Sequence, residues 1–295
     1  DGDFAALADG AEAAPVEALL RARGGELKTL AVSTPEAMYE LDADLQLTRT
    51  GGPEAGQEQR GYVPIPPAIL TIDAASVVYV DDAGQRWRFP RGAAELDATV
   101  GQGRLRIARE VVTERDLLQI HGSFYELPAD NAGGVAKVRP IATHNRAITD
   151  FCSYRGLLVL SGLSPDARGP RVIRSDDGQM AVWVGAVDDL WRLGKPTGRG
   201  GPWRDTPVGA GEASDPYLMC GYDRKVLTLS HDSDRPVTLR VEVDAAAEGL
   251  WTTYREFVVA PGEQLRHEFP GAFGAAWLRV VSDTATNATA QLVYD

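Results

Sequence analysis

Histidine and cysteine are scarce in this chain of 295 residues, with four of the first and two of the second. Cys152 and Cys220 are too few for a disulfide scaffold or a cysteine-built zinc site, and four histidines do not make a histidine-rich metal tract. Basic residues are also outnumbered, 30 to 42, giving a net charge of −12. General nucleic-acid binding needs a basic surface to neutralise phosphates and is therefore excluded. No stretch of about 18 apolar residues occurs, so no membrane span is predicted. Gly198-Arg199-Gly200-Gly201 has no helix after it and is not a nucleotide-binding loop. A Gly-x-Ser-x-Gly nucleophile elbow is missing as well. The chain begins Asp1-Gly2-Asp3, without Met or a signal peptide. That start predicts processing, trimming or excision from something longer, and it carries no targeting address.

The rest of the composition is that of an ordered globular chain, 44% hydrophobic and 24% charged. A mass of 31.7 kDa suits one large domain or two ordinary ones. The 31 glycines and 18 prolines are scattered, with short runs of Val, Leu, Tyr and Trp between them. This spacing predicts many short strands joined by turns. One helix is expected near the start, with Pro15 in its first turn, Val16, Leu19 and Leu20 as its stripe and Gly24 at its end. Asn287-Ala288-Thr289 matches a glycosylation acceptor, but the triplet is too common to carry weight.

Four segments share a pattern in which an apolar strand core is followed, seven residues later, by an aromatic. Val32 leads to Tyr39, Val80 to Trp87, Leu118 to Tyr125 and Val184 to Trp191. Each reads as a β-hairpin, and recurrence on this scale predicts the blades of a β-propeller. The alternative is a set of unrelated hairpins in a β-sandwich. Four blades are few for a closed ring, so a missing N-terminal segment or another chain is expected to complete it. After Pro202-Trp203 six strands follow, Val226–Ser230, Val237–Val243, Thr253–Val259, Gln264–Phe269, Ala276–Ser282 and Ala288–Tyr294. Their spacing predicts a small antiparallel β-sandwich. The fold class is thus all-β, with propeller blades over residues 1–212 and the sandwich over 213–295.

Two runs carry a resemblance: Leu190-Trp191-Arg192-Leu193-Gly194-Lys195-Pro196-Thr197-Gly198-Arg199-Gly200-Gly201-Pro202-Trp203 and Ser214-Asp215-Pro216-Tyr217-Leu218-Met219. Together with His121–Pro128 and Ala142-Thr143-His144-Asn145-Arg146, they resemble C-terminal parts of large, uncharacterised bacterial proteins. The resemblance covers about the last 180 residues. It implies a propeller followed by a sandwich, in proteins that accompany carbohydrate breakdown, and it assigns no catalytic roles.

The segment Arg104–Arg174 stands apart in charge, with eleven basic and seven acidic residues, a balance of +4. Such a region suits an anionic ligand, a uronate or sulfated sugar, which Arg pairs in two bonds. Its candidate catalytic residues are His121, His144, Asp150 and Tyr154, and its candidate substrate contacts are Arg139, Asn145, Arg146 and Arg155. Trp203, in a glycine-rich loop, is the candidate for stacking on a sugar. Hydrolysis of a glycoside needs two carboxyl groups, of which Asp150 is the preferred one. A lyase instead needs a His or Tyr base with Arg or Asn to neutralise a carboxylate. The functional expectation is a hydrolase or lyase acting on an acidic or decorated poly- or oligosaccharide outside the cytoplasm. The alternative is a non-catalytic glycan-binding or assembly module. No cofactor is called for, beyond a structural calcium that Asp188-Asp189 would suit.

Overall fold

A computed structural model describes residues 16–22, 28–60, 70–99, 106–112, 115–271 and 273–295. Pro15 and Gly24 of the expected helix, and Arg104 and Glu114 of the basic segment, lie outside the described residues.

The architecture is all-β. β1 (Leu19–Ala22), β2 (Leu30–Ser33), β3 (Met38–Leu41) and β4 (Leu47–Gly51) form an antiparallel meander. Leu19 and Leu20 therefore lie in a strand and not in the helix expected there, because Ala22 to Leu19 pair with Leu30 to Ser33. The α-helix among the described residues is α1 (Pro53–Arg60), with Pro53 in the first turn, where its missing N–H costs nothing. β5 (Leu70–Ile72), β6 (Val77–Val80) and β7 (Arg86–Phe89) come next. β8 (Ala108–Val112), β9 (Arg115–Ile120), β10 (Ser123–Leu127) and β11 (Arg139–Thr143) make a second four-stranded meander. β12 (Phe151–Tyr154), β13 (Leu157–Leu160), β14 (Val172–Arg174) and β15 (Ala181–Gly185) make a sheet in the order β12-β13-β15-β14.

Three of the four expected hairpins form. Val32 stands opposite Tyr39 and Leu118 opposite Tyr125, so the seven-residue spacing is a cross-strand pair in both. Trp87 pairs with Tyr79 instead of Val80. The fourth is not a hairpin: Trp191 lies in a 3₁₀ turn, Val187–Arg192, and is 42% exposed. The Asp189 carboxylate takes the Ala186 N–H at 2.8 Å and bridges Arg171 and Arg192, which turns the chain away from strand geometry.

These sheets stack face to face. Val32 and Tyr39 of the first sheet pack against Val159 and Val182. The opposite face of that partner, with Leu158, Leu160 and Trp183, meets Leu117 and Phe124 of the second meander. Leu118, Ile120 and Tyr125 on the meander's other face join Val77 and Phe89. Sheets covered on both faces explain apolar runs such as Leu157-Leu158-Val159-Leu160.

The C-terminal strands are β16 (Gly198–Val208), β17 (Tyr217–Leu218), β18 (Lys225–His231), β19 (Val237–Asp244), β20 (Trp251–Val259), β21 (Leu265–Glu268), β22 (Trp277–Ser282) and β23 (Thr286–Tyr294). β18 to β23 match the six expected strands with small shifts at their ends. One sheet runs β16-β23-β18-β21 and packs Leu227 and Leu292 against Leu239 and Val280 of a second. The second sheet runs β20-β19-β22-β17-β7-β6-β5.

Hydrogen bonding therefore crosses the expected division at 212/213. β16 pairs with β23, and β17 pairs in parallel with β7 through Tyr217 and Arg88. Buried Arg88 fastens this junction, with Nη1 donating to Asp73 at 2.8 Å and Ser76 at 2.9 Å, and Nε donating to Asp215 at 3.0 Å. Trp203 is only 6% exposed and belongs to the shared core, so it is not the loop residue that its glycine-rich surroundings suggested.

Candidate functional site

Among the described residues, the four candidate catalytic residues fall into separate hydrogen-bonding settings. His121 and Gly122 form the two-residue turn between β9 and β10, with φ of 48° and 81°, as a type I′ hairpin requires. Both nitrogens of the His121 ring are engaged. Nδ1 accepts the Gly92 N–H at 2.9 Å, which leaves the proton on Nε2 to donate to Asp97 at 2.8 Å. Burial pushes the ring toward its neutral form, and Asp97 opposes that shift. His144 and Asn145 donate their N–H groups to the Gly122 carbonyl at 2.8 and 3.0 Å, which gathers His121, His144, Asn145 and Arg146 at this turn. His144 is buried; its Nδ1 accepts the Arg146 N–H at 3.0 Å, and its ring lies 4.9 Å from that of Phe124. The Asn145 side chain accepts the Ala93 N–H at 2.8 Å. The cluster is a clamp between loops.

Asp150 lies elsewhere, fully buried. It receives Arg106 Nε at 2.7 Å and Nη2 at 3.2 Å, Arg109 Nη1 at 3.2 Å and the N–H groups of Leu20 and Phe151 at 2.8 Å each. A carboxylate with five donors from three segments is a structural tie. The Tyr154 hydroxyl donates to the Lys28 carbonyl at 2.7 Å. Arg155 sits with Gly156 in the tight turn after β12, at φ of 52° and 80°. Arg139 has a different setting, on the lining of a cleft.

The concave site with stacking surface lies where β17 joins the β5–β7 strands to the sandwich. It has a volume of about 330 Å³, within the range of roughly 300–1,000 Å³ usual for small-ligand sites. Three of the six tryptophans line it: Trp87, Trp251 and Trp277. Sheet register brings two of them together, because Asp244 on β19 pairs with Trp251 on one side and Trp277 on the other. Trp87 arrives from β7, its ring centroid 4.6 Å from that of Trp277. Each indole of this pair is oriented through its N–H, Trp87 to Asp81 at 2.8 Å and Trp277 to the Ala136 carbonyl at 2.6 Å. The Arg279 guanidinium lies 4.4 Å over the Trp251 ring, while its Nε donates to Glu242 at 2.7 Å. Burial works to raise the Glu242 carboxyl, but Arg279 and Arg240 hold it below the usual range, so the support stays charged.

Both carboxylates on the lining are engaged. Asp215 pairs with Arg86 at 3.1 Å and Arg88 at 3.0 Å. Asp244 accepts the N–H groups of Ala246, Glu248 and Gly249, which closes the turn between β19 and β20. Half-buried Trp87 and Trp251 supply the aromatic wall, with Trp277, 1% exposed, packed against Trp87; Arg279 and Gln85 stand at the edge, and no carboxyl pair on the lining is poised for acid–base work. Reading the sequence alone missed it because positions 87, 251 and 277 share no local pattern.

Among the described residues, no group of three His, Cys, Asp or Glu side chains is arranged to hold a metal, and no helix is long and apolar enough to cross a membrane. No protein-family model matches the chain, and no curated protein matches it. Among solved structures it is similar to a protein called PirA, at 16% identity over 34% of this chain and 84% of that one, with a TM-score of 0.21. A Bombyx mori GH32 β-fructofuranosidase aligns at 10% identity over 95% and 79% of the two chains, with a TM-score of 0.18. A GH43 arabinoxylan arabinofuranohydrolase from Bacillus subtilis, in complex with cellotetraose, aligns at 10% identity over 94% and 77%, with a TM-score of 0.20. At such TM-scores these alignments establish no common fold.

Proposed function

We propose that this chain is a carbohydrate-active protein that binds a glycan in the tryptophan-lined cleft, with the stacked sheets of β1–β15 serving as part of a β-propeller platform. The carrying observation is the convergence of Trp87, Trp251 and Trp277 on one cleft with Arg279 and Gln85 at its rim. Indoles offer large rigid apolar faces at little entropic cost, which suits the apolar face of a sugar ring, and the polar rim suits its hydroxyls. Binding is favoured over bond cleavage because the expected acid and bases are engaged inside the fold: Asp150 by two arginines, His121 through both ring nitrogens. The extracytoplasmic setting expected from the sequence accords with this reading.

Titration of intrinsic tryptophan fluorescence with neutral and acidic tetrasaccharides tests it. The expected result is saturable binding that weakens at least about tenfold in Trp251→Ala and Trp87→Ala, the usual order for a buried aromatic anchor. Circular dichroism checks that both variants stay folded. Affinity unchanged in both variants, or no response to any tetrasaccharide, overturns the proposal.

A further inference from the structure

The tryptophan cleft has a neighbour. A second cleft, of about 690 Å³, lies on the other side of the turn between β19 and β20. Ala247 lines both. Sequence neighbours also divide between them: Ala136 lines the first and Lys137 the second, and Trp277 the first and Ala276 the second. Adjacent Cα atoms are about 3.8 Å apart, so the two hollows lie side by side, with the β19–β20 turn between them.

Their chemistry differs. The second cleft carries Lys137 and Arg139, both exposed, and no carboxylate among the described residues pairs with either. Glu248 is the carboxylate on that lining, and Glu126 stands across the ladder from Arg139. Five of the ten arginines of the basic segment behave otherwise: Arg106 and Arg109 bind Asp150, Arg171 binds Asp189, and Arg168 and Arg174 face Asp166. Two unpaired cations at a concavity, in a chain of net charge −12, have no ion pair to break before meeting an anion. A guanidinium takes a carboxylate or sulfate in two parallel hydrogen bonds, and an ammonium adds a point charge. Cys220 on the same lining adds no reactive group, since burial pushes its thiol up to about 11 and its Sγ donates to the Val138 carbonyl at 3.4 Å.

We infer that the two clefts form one groove for an oligosaccharide bearing a carboxylate or sulfate, with a sugar ring on the indoles and the anionic group at Lys137 and Arg139. This rests on the glycan reading of the tryptophan cleft. Calorimetric titration of the full chain with tetragalacturonate, its fully methyl-esterified form and a sulfated galactan tetrasaccharide tests it. At least one anionic ligand is expected to bind about tenfold tighter than the neutral ester, as charged hydrogen bonds allow. In K137Q/R139Q that preference disappears while affinity for the ester is kept; both positions are on the surface, so folding is retained. Whether the uronate or the sulfate shows the preference identifies the anion. Equal affinity for acid and ester, or a preference that survives K137Q/R139Q, overturns the groove alone. Binding of none of the three, or binding indifferent to W251A, removes the tryptophan reading and the groove with it.

Discussion

His144 is a base that the fold keeps from acting as one. Burial first, and Arg146 second, push it down to about 3. In the unfolded chain the same imidazole takes a proton near its ordinary value of about 6.5. Between those limits the unfolded state binds more protons, so stability rises with pH across this window and is lost as pH falls. The slope from His144 alone approaches about 1.4 kcal/mol per pH unit, and His121 shifts in the same direction. In proton NMR the His144 ring signals are therefore expected to stay in the neutral form from pH 8 to pH 4, and an inflection near 6.5 would sink this account. Residue-level reading of the sequence did well where the immediate neighbours decide. Leu118 and Tyr125 stand opposite each other across the two-residue turn His121-Gly122, as their seven-residue spacing implies. It did poorly for Trp203, whose glycine- and proline-rich neighbours suggest a loop but whose strand, β16, is completed by a distant partner in β23.

At the scale of elements, ties between segments matter more than the segments themselves. Asp150 holds the edge of β1 through the Leu20 N–H and two arginines that precede and begin β8. Replacing it by Asn leaves Arg106 and Arg109 without their counter-charge in a mostly buried site. Loss of one partner of a buried pair costs about 3–5 kcal/mol, with the lower figure apt here because Arg109 keeps some solvent contact. Urea unfolding of Asp150→Asn measures it, and a loss under about 0.5 kcal/mol would show the tie to be slack. The strands β18 to β23 were legible because each has its own alternation and a turn at either end, as in Val237-Thr238-Leu239-Arg240-Val241. Leu19 and Leu20 were not, since apolar residues in so short a window suit a helix stripe and a strand equally, and pairing with β2 decides. Trp191 was mistaken for a strand aromatic because the side-chain bonds of Asp189 that bend the chain there leave no mark on spacing.

At the scale of the molecule, the seven-stranded sheet makes the β5–β7 strands and the sandwich one body. A fragment of residues 213–295 lacks β16 and β7, and so exposes the edges of β23 and β17 together with the core face that Trp203 and Phe89 cover. Unpaired edges over an open apolar face favour association. Expressed alone, the fragment is expected to aggregate or to show broad, poorly dispersed NMR signals. A monomeric fragment with sharp, dispersed signals would mean that the junction adds little.

What the sequence determined by itself is the class of structure and the position of most strands, because alternation and turn chemistry act over a few residues. The local excess of positive charge around Arg139 is likewise written in the sequence. Only the tertiary structure decided which strands are neighbours, which arginines are neutralised and which tryptophans meet. Those outcomes depend on partners such as Arg88 and Asp215, 127 positions apart, whose pairing follows from the shape of the whole core and leaves no local trace.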